Sequence, residues 1–148
     1  MDRFIKIEFQ RGGAFKAKML DSVAPKTCQV IYDSLPFSSG ALNLSFSGYA
    51  FYLLKSFQFH ELENPLVFGA QPGDIFLNTN INRSVFEGKI VPPRIVVAYR
   101  SSVILQNWSG YTPSNHFAKI VEADMEEFWQ IGKRIRWEGQ EDVSFSHP

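Results

Sequence analysis

The chain opens on two alternating runs. Ile5, Ile7 and Phe9 oppose Phe4, Lys6 and Glu8, and after Gly12-Gly13 the alternation resumes over Phe15–Leu20. Side chains of a strand alternate between its two faces, so two such runs about a Gly-Gly turn predict a β-hairpin. In "DSVAPKTCQVIYDSLP" the period changes. Cys28, Ile31, Tyr32 and Leu35 recur at the spacing of one helix face. Ser22 or Asp21 is placed to cap that helix, Pro25 suits its first turn, and Pro36 ends it. Two strands are predicted between Ser38 and Ser56, and Gly48 turns one into the other. Leu42, Leu44 and Phe46 alternate there with Asn43, Ser45 and Ser47. A loop-rich stretch leads to the strand Ile75–Leu77, and residues 79–93 predict a surface loop. "RIVVAYRSSVILQNW" predicts two short strands and "HFAKIVE" another. Asp124 caps a second helix with Glu127 as capping-box partner. Met125, Phe128 and Trp129 are its buried stripe, and Gly132 is its stop. "KRIRWEGQEDVSF" closes as a strand.

Frequent short strands with turn signals predict a closed barrel, which leaves no long edge exposed, and two amphipathic helices are available to cap it. Its 148 residues suit a single domain spanning 1–148, with neither repeat nor linker, and 14 Phe can fill one core. Lys plus Arg equals Asp plus Glu, at 15 each, which argues against binding nucleic acid through phosphate neutralisation. No apolar run is long enough to span a membrane. The first residues alternate charge with hydrophobe, unlike a signal peptide, and the lone Cys28 allows no internal disulfide, so a cytoplasmic location is expected. The triplets at Asn43, Asn82 and Asn107 that match a glycosylation acceptor are read as chance.

Two segments in this order carry a resemblance. "APKTCQVIYDSL" (24–35) is similar to the first helix of cyclophilins. "HFAKIVEADMEEFWQIGK" (116–133) is similar to their late strand and second helix. The blocks "SFSGYAFY", "ENP…PGD" and "NHFAKIVE" further resemble a prokaryotic family of uncharacterised cyclophilin-like proteins. The resemblance implies a mainly β fold: a closed cyclophilin-like barrel of about eight strands capped by two α-helices. In that family a His and an Arg are expected where this chain has Asn43 and Ser45. The resemblance does not extend to proline isomerisation. Cyclophilins use an arginine donor in a Phe-His-Arg context, and here Phe59-His60 is followed by Glu61. An ionised carboxylate cannot donate that hydrogen bond. The cyclophilin pocket histidine corresponds to Ser114, and in an extended run His116 points to the same side.

Candidate chemistry follows from these placements. His116 suits a general base or ligand donor at neutral pH, or is a histidine bonded to a loop carbonyl at a strand entrance. Asn115 can orient a ligand amide or turn the loop. Asn43, Ser45 and Ser47 can hydrogen-bond a polar ligand or form a solvated face. Asn64 can touch a ligand or cap the turn before Pro65. Trp108 and Tyr111 can form an aromatic wall, pack a loop, or meet another subunit. The first expectation is therefore a small polar metabolite held in a barrel-side groove by Asn43, Ser45, Asn64, Tyr99, Trp108, Asn115 and His116, with enzymatic activity left open. The alternatives are a non-catalytic peptide-binding module or homo-oligomeric scaffold, and an isomerase with an atypical donor. No cofactor is expected, because Gly-rich phosphate loops and nucleophile elbows are lacking. No metal is expected either, because His60, Glu61 and Glu63 offer no tight ligand set.

Overall fold

The computed structural model describes residues 2–148. Its elements run β1 (Phe4–Phe9), β2 (Ala14–Met19), α1 (Pro25–Ser34), β3 (Phe37–Asn43), a single 3₁₀ turn (Ser45–Ser47), β4 (Gly48–Ser56), β5 (Pro65–Leu66) and β6 (Asp74–Asn78). They continue with β7 (Val85–Phe86), β8 (Lys89–Ile90), β9 (Arg94–Val103), β10 (Gln106–Asn107), β11 (Gly110–Tyr111), β12 (Ser114–Val121), α2 (Met125–Glu138) and β13 (Glu141–Ser146). Hydrogen bonding follows the order β2-β1-β13-β3-β4-β9-β6-β12, and β12 returns to β2 with Ala118 opposite Met19. All pairings are antiparallel, so this is a closed eight-stranded barrel with two helices. β5 adds to β12, and the hairpins β7–β8 and β10–β11 stand outside the wall.

Burial explains the strand patterns. Ile5, Ile7, Phe9, Phe15, Ala17 and Met19 alternate inward from the first hairpin. β9 is apolar on both faces because both are covered. Ile95, Val97 and Tyr99 point into the barrel. Val96 and Ala98 join Phe76, Ala50, Val103 and Leu105 in a second apolar layer outside it. The two short strands predicted over 94–108 are thus one long strand, β9, and a short hairpin arm, β10.

α2 closes the end of the barrel marked by the β1–β2 turn. Phe128 meets the ring of Phe15 at 5.2 Å and those of Phe9 and Phe51 at 6.4 Å. Gly13 takes a left-handed φ of +114°, and a Cβ there would lie 2.5 Å from Ile131 Cδ1, so the turn and the helix require glycine together. Asp124 caps the helix by accepting from the backbone N–H of Glu126 (2.9 Å) and Glu127 (3.3 Å). Gly132 does not stop it. The helix runs on to Glu138, with Phe128, Ile131, Gly132 and Ile135 as its buried face, while Met125 is exposed. Gly132 is there for close packing: a Cβ would sit 2.3 Å from the Tyr99 ring.

α1 covers the opposite end, where Arg3 pairs with Asp21 at 2.5 Å and lies over the Tyr32 ring. His147, which follows β13, packs edge-on to Tyr32 at 4.7 Å. Neither Ser22 nor Asp21 caps α1. Its N-cap is Ala24, with no side-chain bond. The cap comes from a distant loop: the Glu63 carboxylate accepts from Lys26 N (3.1 Å), Thr27 N (2.7 Å) and Thr27 Oγ1 (2.8 Å).

That cap sets a pH dependence. Desolvation raises the Glu63 pKa, but the bonds from Thr27 and Lys26 outweigh it and hold the carboxyl below the usual glutamate value. A pKa depressed by folding contributes stability in full above the unfolded value, about 4.3. That contribution is lost as pH falls through the folded value. Thermal melts of Glu63→Gln should therefore show a lower melting temperature at neutral pH and a shallower decline below about pH 4.3. Parallel acid limbs for the two proteins would show that the cap carries no linkage.

Candidate functional site

A groove of about 750 Å³ lies on the outer face of the barrel. Its floor is built from the outward positions of three neighbouring strands: Tyr52 and Leu54 of β4, Arg94 and Val96 of β9, and Asn78 of β6. The residues there alternate with inward core residues, so the floor continues the outer apolar layer. One wall is the 3₁₀ turn with Leu44, Ser45 and Phe46. The facing wall is the two external hairpins, with Phe86, Lys89 and Ile90 from one and Gln106, Asn107 and Trp108 from the other.

A polar network holds these hairpins in place. Asn80 adopts a left-handed φ of 52° and donates from Nδ2 to Ser84 O (3.0 Å) and Val91 O (2.8 Å), while its Oδ1 accepts from Ser84 N (2.8 Å). Asn107 Nδ2 donates to Ser84 Oγ at 3.0 Å, and Trp108 Nε1 donates to Val85 O at 3.1 Å. The Trp108 ring then stands edge-on to Phe46 at 5.5 Å and to Phe86 at 5.4 Å, closing an aromatic corner over the groove. The segment 79–93, predicted as a loop, is thus a braced hairpin. Its exposed Phe86 and Ile90 form the groove rim.

The polar chemistry of the groove is uneven. Its lining contains Lys89 and Arg94 but no Asp or Glu. Arg94 lies over the Tyr52 ring at 5.6 Å. Its Nε is buried without a hydrogen-bond partner among the described residues, as is Asn43 Oδ1. Asn43 Nδ2 donates to Ser45 Oγ at 2.8 Å. The Arg94 guanidinium has no carboxylate partner in the lining, so the floor carries a positive charge that no acid there offsets.

A family model described as a protein of unknown function, DUF3830, matches residues 7–147, nearly the whole barrel. The chain belongs to the DUF3830 family. Comparison with curated proteins gives no match. Among solved structures, this DUF3830 barrel is similar to McbB in complex with tryptophan, at a TM-score of 0.68 and 15% identity over 97% of the chain. It spans only 44% of McbB, less than half of that protein's length. It is also similar to the hypothetical protein AF2241 from Archaeoglobus fulgidus, at a TM-score of 0.60 and 16% identity, covering 99% of this chain and 95% of that one. Both likenesses are ones of fold.

The DUF3830 barrel distributes the sequence-selected residues over three places. Asn43, Ser45 and Trp108 meet in the groove. Tyr99 is 1% exposed inside the barrel, stacked on Phe51 and tilted against Trp129, because its parity on β9 matches Ile95 and Val97. Burial pushes its phenol pKa up, with the Arg136 guanidinium opposing. Asn64, Asn115 and His116 share a corner between β5 and β12. Asn115 is fully buried; it accepts from Glu63 N (2.8 Å) and donates to Thr27 Oγ1 (3.2 Å) and Glu61 O (2.9 Å). Asn64 has a left-handed φ of 50° and donates to His116 O at 2.9 Å. These bonds fasten the 59–66 segment to β12 and α1.

His116 packs on Phe76, ring centroids 5.0 Å apart, at the far edge of the outer apolar layer. Its Nε2 is 3.1 Å from Asp74 Oδ1, an ion-pair distance without an aligned hydrogen bond. The other Asp74 oxygen accepts from Gln71 N at 2.8 Å. At the isomerase-like triplet, Glu61 is exposed and pairs with Lys26 at 3.2 Å. Cys28 is fully buried and bonds to Phe117 O. Desolvation pushes its thiol up to about 12, so it is chemically quiet. Among the described residues, no group of three or more His, Cys, Asp or Glu is placed to hold a metal, and no helix is long and apolar enough to cross a membrane.

Sequence reasoning missed Tyr52, Arg94, Lys89 and Phe86 as groove residues. For two of them a signal exists. Tyr52 and Arg94 sit at outward parity on strands whose other face is core. A charged residue at the head of "RIVVAY" is the place where an otherwise apolar strand announces its use. Phe86 and Lys89 depend on the hairpin being folded back by Asn80, which no local pattern reveals.

Proposed function

We propose that this barrel, of cyclophilin-like type, binds a small metabolite in the groove roofed by Trp108 and does not isomerise proline. One observation carries the reading. The groove is concave and mostly apolar, with an aromatic corner and a few converging polar groups, among them Asn43, Ser45 and Arg94. That composition is the one small-molecule sites share. The fold neighbour McbB was solved with tryptophan. This supports the class of function, while the identity of the ligand must come from this chain's own residues. The exposed Glu61 in the Phe-His-Glu triplet supports the non-isomerase reading, since it supplies no donor.

The test is a thermal-shift panel of organic acids, amides, amines and nucleosides on the wild type and on Trp108→Ala and Phe86→Ala. A ligand at 100 times its Kd adds about 2.7 kcal/mol of stability. At least one class should raise the melting temperature of the wild type, with a smaller rise in both variants. An undiminished rise in both would place the ligand elsewhere. No rise with any compound would favour a second reading, a peptide-binding or self-associating face. That reading draws on the exposed rim of Phe46, Phe86, Ile90, Trp108 and Tyr111.

A further inference from the structure

The groove's charge is one-sided, and resting on the small-molecule reading above, we infer that its ligand is an elongated organic carboxylate whose acid group is seated by Arg94. Arg94 lies on the floor, and its Nε is buried with no acceptor among the described residues. No described carboxylate pairs with its guanidinium, whereas three of the other six arginines have one: Arg3 with Asp21, Arg11 with Glu138, Arg134 with Glu141. An unpaired guanidinium on a largely apolar floor is held at a cost in solvation, which an anion can offset. Lys89, on the facing hairpin, adds a second positive charge, and no acid in the lining opposes them. A cationic ligand would meet two like charges with nothing to neutralise them.

The geometry favours carboxylate over phosphate. A guanidinium without a carboxylate partner offers a planar fork of N–H donors at the spacing of carboxylate oxygens. The groove lining comes from strands, the 3₁₀ turn and hairpins. It has no helix N-terminus of the kind phosphate sites use. The apolar body of the ligand lies over Tyr52 and Val96 toward Trp108. Asn43 marks the far end. It pairs with Phe51, Phe51 pairs with Val97, and Arg94 lies three residues beyond Val97. Two strand spacings and three residues put the two seats roughly 10 Å apart in each direction. One short molecule cannot fill both. Asn43 and Ser45 line that end, so the remote end of a natural ligand is polar.

The experiment is calorimetric titration of the intact protein with 4-phenylbutyrate, its neutral isostere 4-phenylbutyramide, and phenethyl phosphate. The acid should bind about 10- to 100-fold more tightly than the amide, the range expected for a hydrogen bond to a charged group. Arg94→Gln should bring the two affinities together by weakening the acid alone. Arg94→Lys, which keeps the charge and loses the fork, should fall between. Melting curves of both variants establish that they are folded. Equal binding of acid and amide to the wild type would overturn the carboxylate seat and leave the groove reading standing, and a phosphate preference would overturn the choice of anion. A preference for the acid that survives Arg94→Gln would show that Arg94 is not the seat. Heat with none of the three, up to millimolar concentration, would count against the groove reading itself.

Discussion

Replacing Arg134 with Ala should destabilise the fold by about 3–5 kcal/mol, the cost of stranding a buried charge. Glu141 opens β13 and its side chain is fully buried. Arg134 holds it with two bonds, Nε to Oε1 at 2.7 Å and a terminal nitrogen to Oε2 at 2.6 Å, while Oε2 also accepts from Arg11 N at 3.1 Å. Arg134 donates as well to Gly12 O at 3.0 Å, so one guanidinium ties α2, β13 and the first β-turn together. The arginine side chain is one-fifth exposed and the glutamate not at all, so the two halves of the pair are not equivalent. Removing the arginine leaves a carboxylate in the interior, whereas Glu141→Gln leaves a cation that reaches water and an amide that still accepts from Arg11. Urea denaturation should therefore rank Arg134→Ala well below Glu141→Gln. Adding Glu141→Leu to Arg134→Ala should recover part of the loss. A loss under about 1 kcal/mol for Arg134→Ala, the range of a surface pair, would mean that the carboxylate is hydrated after all.

Phe128→Ala should cost a similar amount, about 3–5 kcal/mol. The ring is fully buried among three other phenylalanines, Phe9, Phe15 and Phe51, with Phe15 at 5.2 Å in an edge arrangement. Its neighbours come from the first hairpin, β4 and the helix. The cavity could close only by moving the barrel end, so the loss includes both transfer and void. Trp137 on the same helix is the control. It is 76% exposed, and Trp137→Ala should change stability by no more than about 0.5 kcal/mol. Similar losses at the two positions in the same denaturation series would mean that α2 does not cap the barrel as described.

The pattern along the chain carried the barrel and both helices because each depends on neighbours in sequence. Alternation in β1 and β2 and the Cys28–Leu35 stripe are local facts with a local consequence. What the sequence hides depends on contacts between distant residues. Gly132 has the composition of a helix stop, and only the Tyr99 ring across the core gives it another purpose. Ser22 and Asp21 sit where a cap belongs, yet Glu63 arrives from a loop to do the capping. The candidate site was legible in part. Asn43, Ser45 and Trp108 converge from two well-separated segments, while Asn115 and Asn64 turn out to fasten a loop. Tyr99 could have been set aside by parity alone, since it alternates with Val97 and Ile95. Arg94 could have been found by the same rule.

The central claim is that the groove beneath Trp108 is the binding site. Its most direct test is a nitrogen–proton NMR titration with 4-phenylbutyrate, following the Trp108 indole N–H, the Arg94 Nε–H and the amides around His116. The account predicts saturable shifts at Trp108 and Arg94, with residues 115 and 116 unmoved. Shifts centred on His116 and Asn115, with Trp108 and Arg94 silent, would contradict it and move the site to the β5–β12 corner.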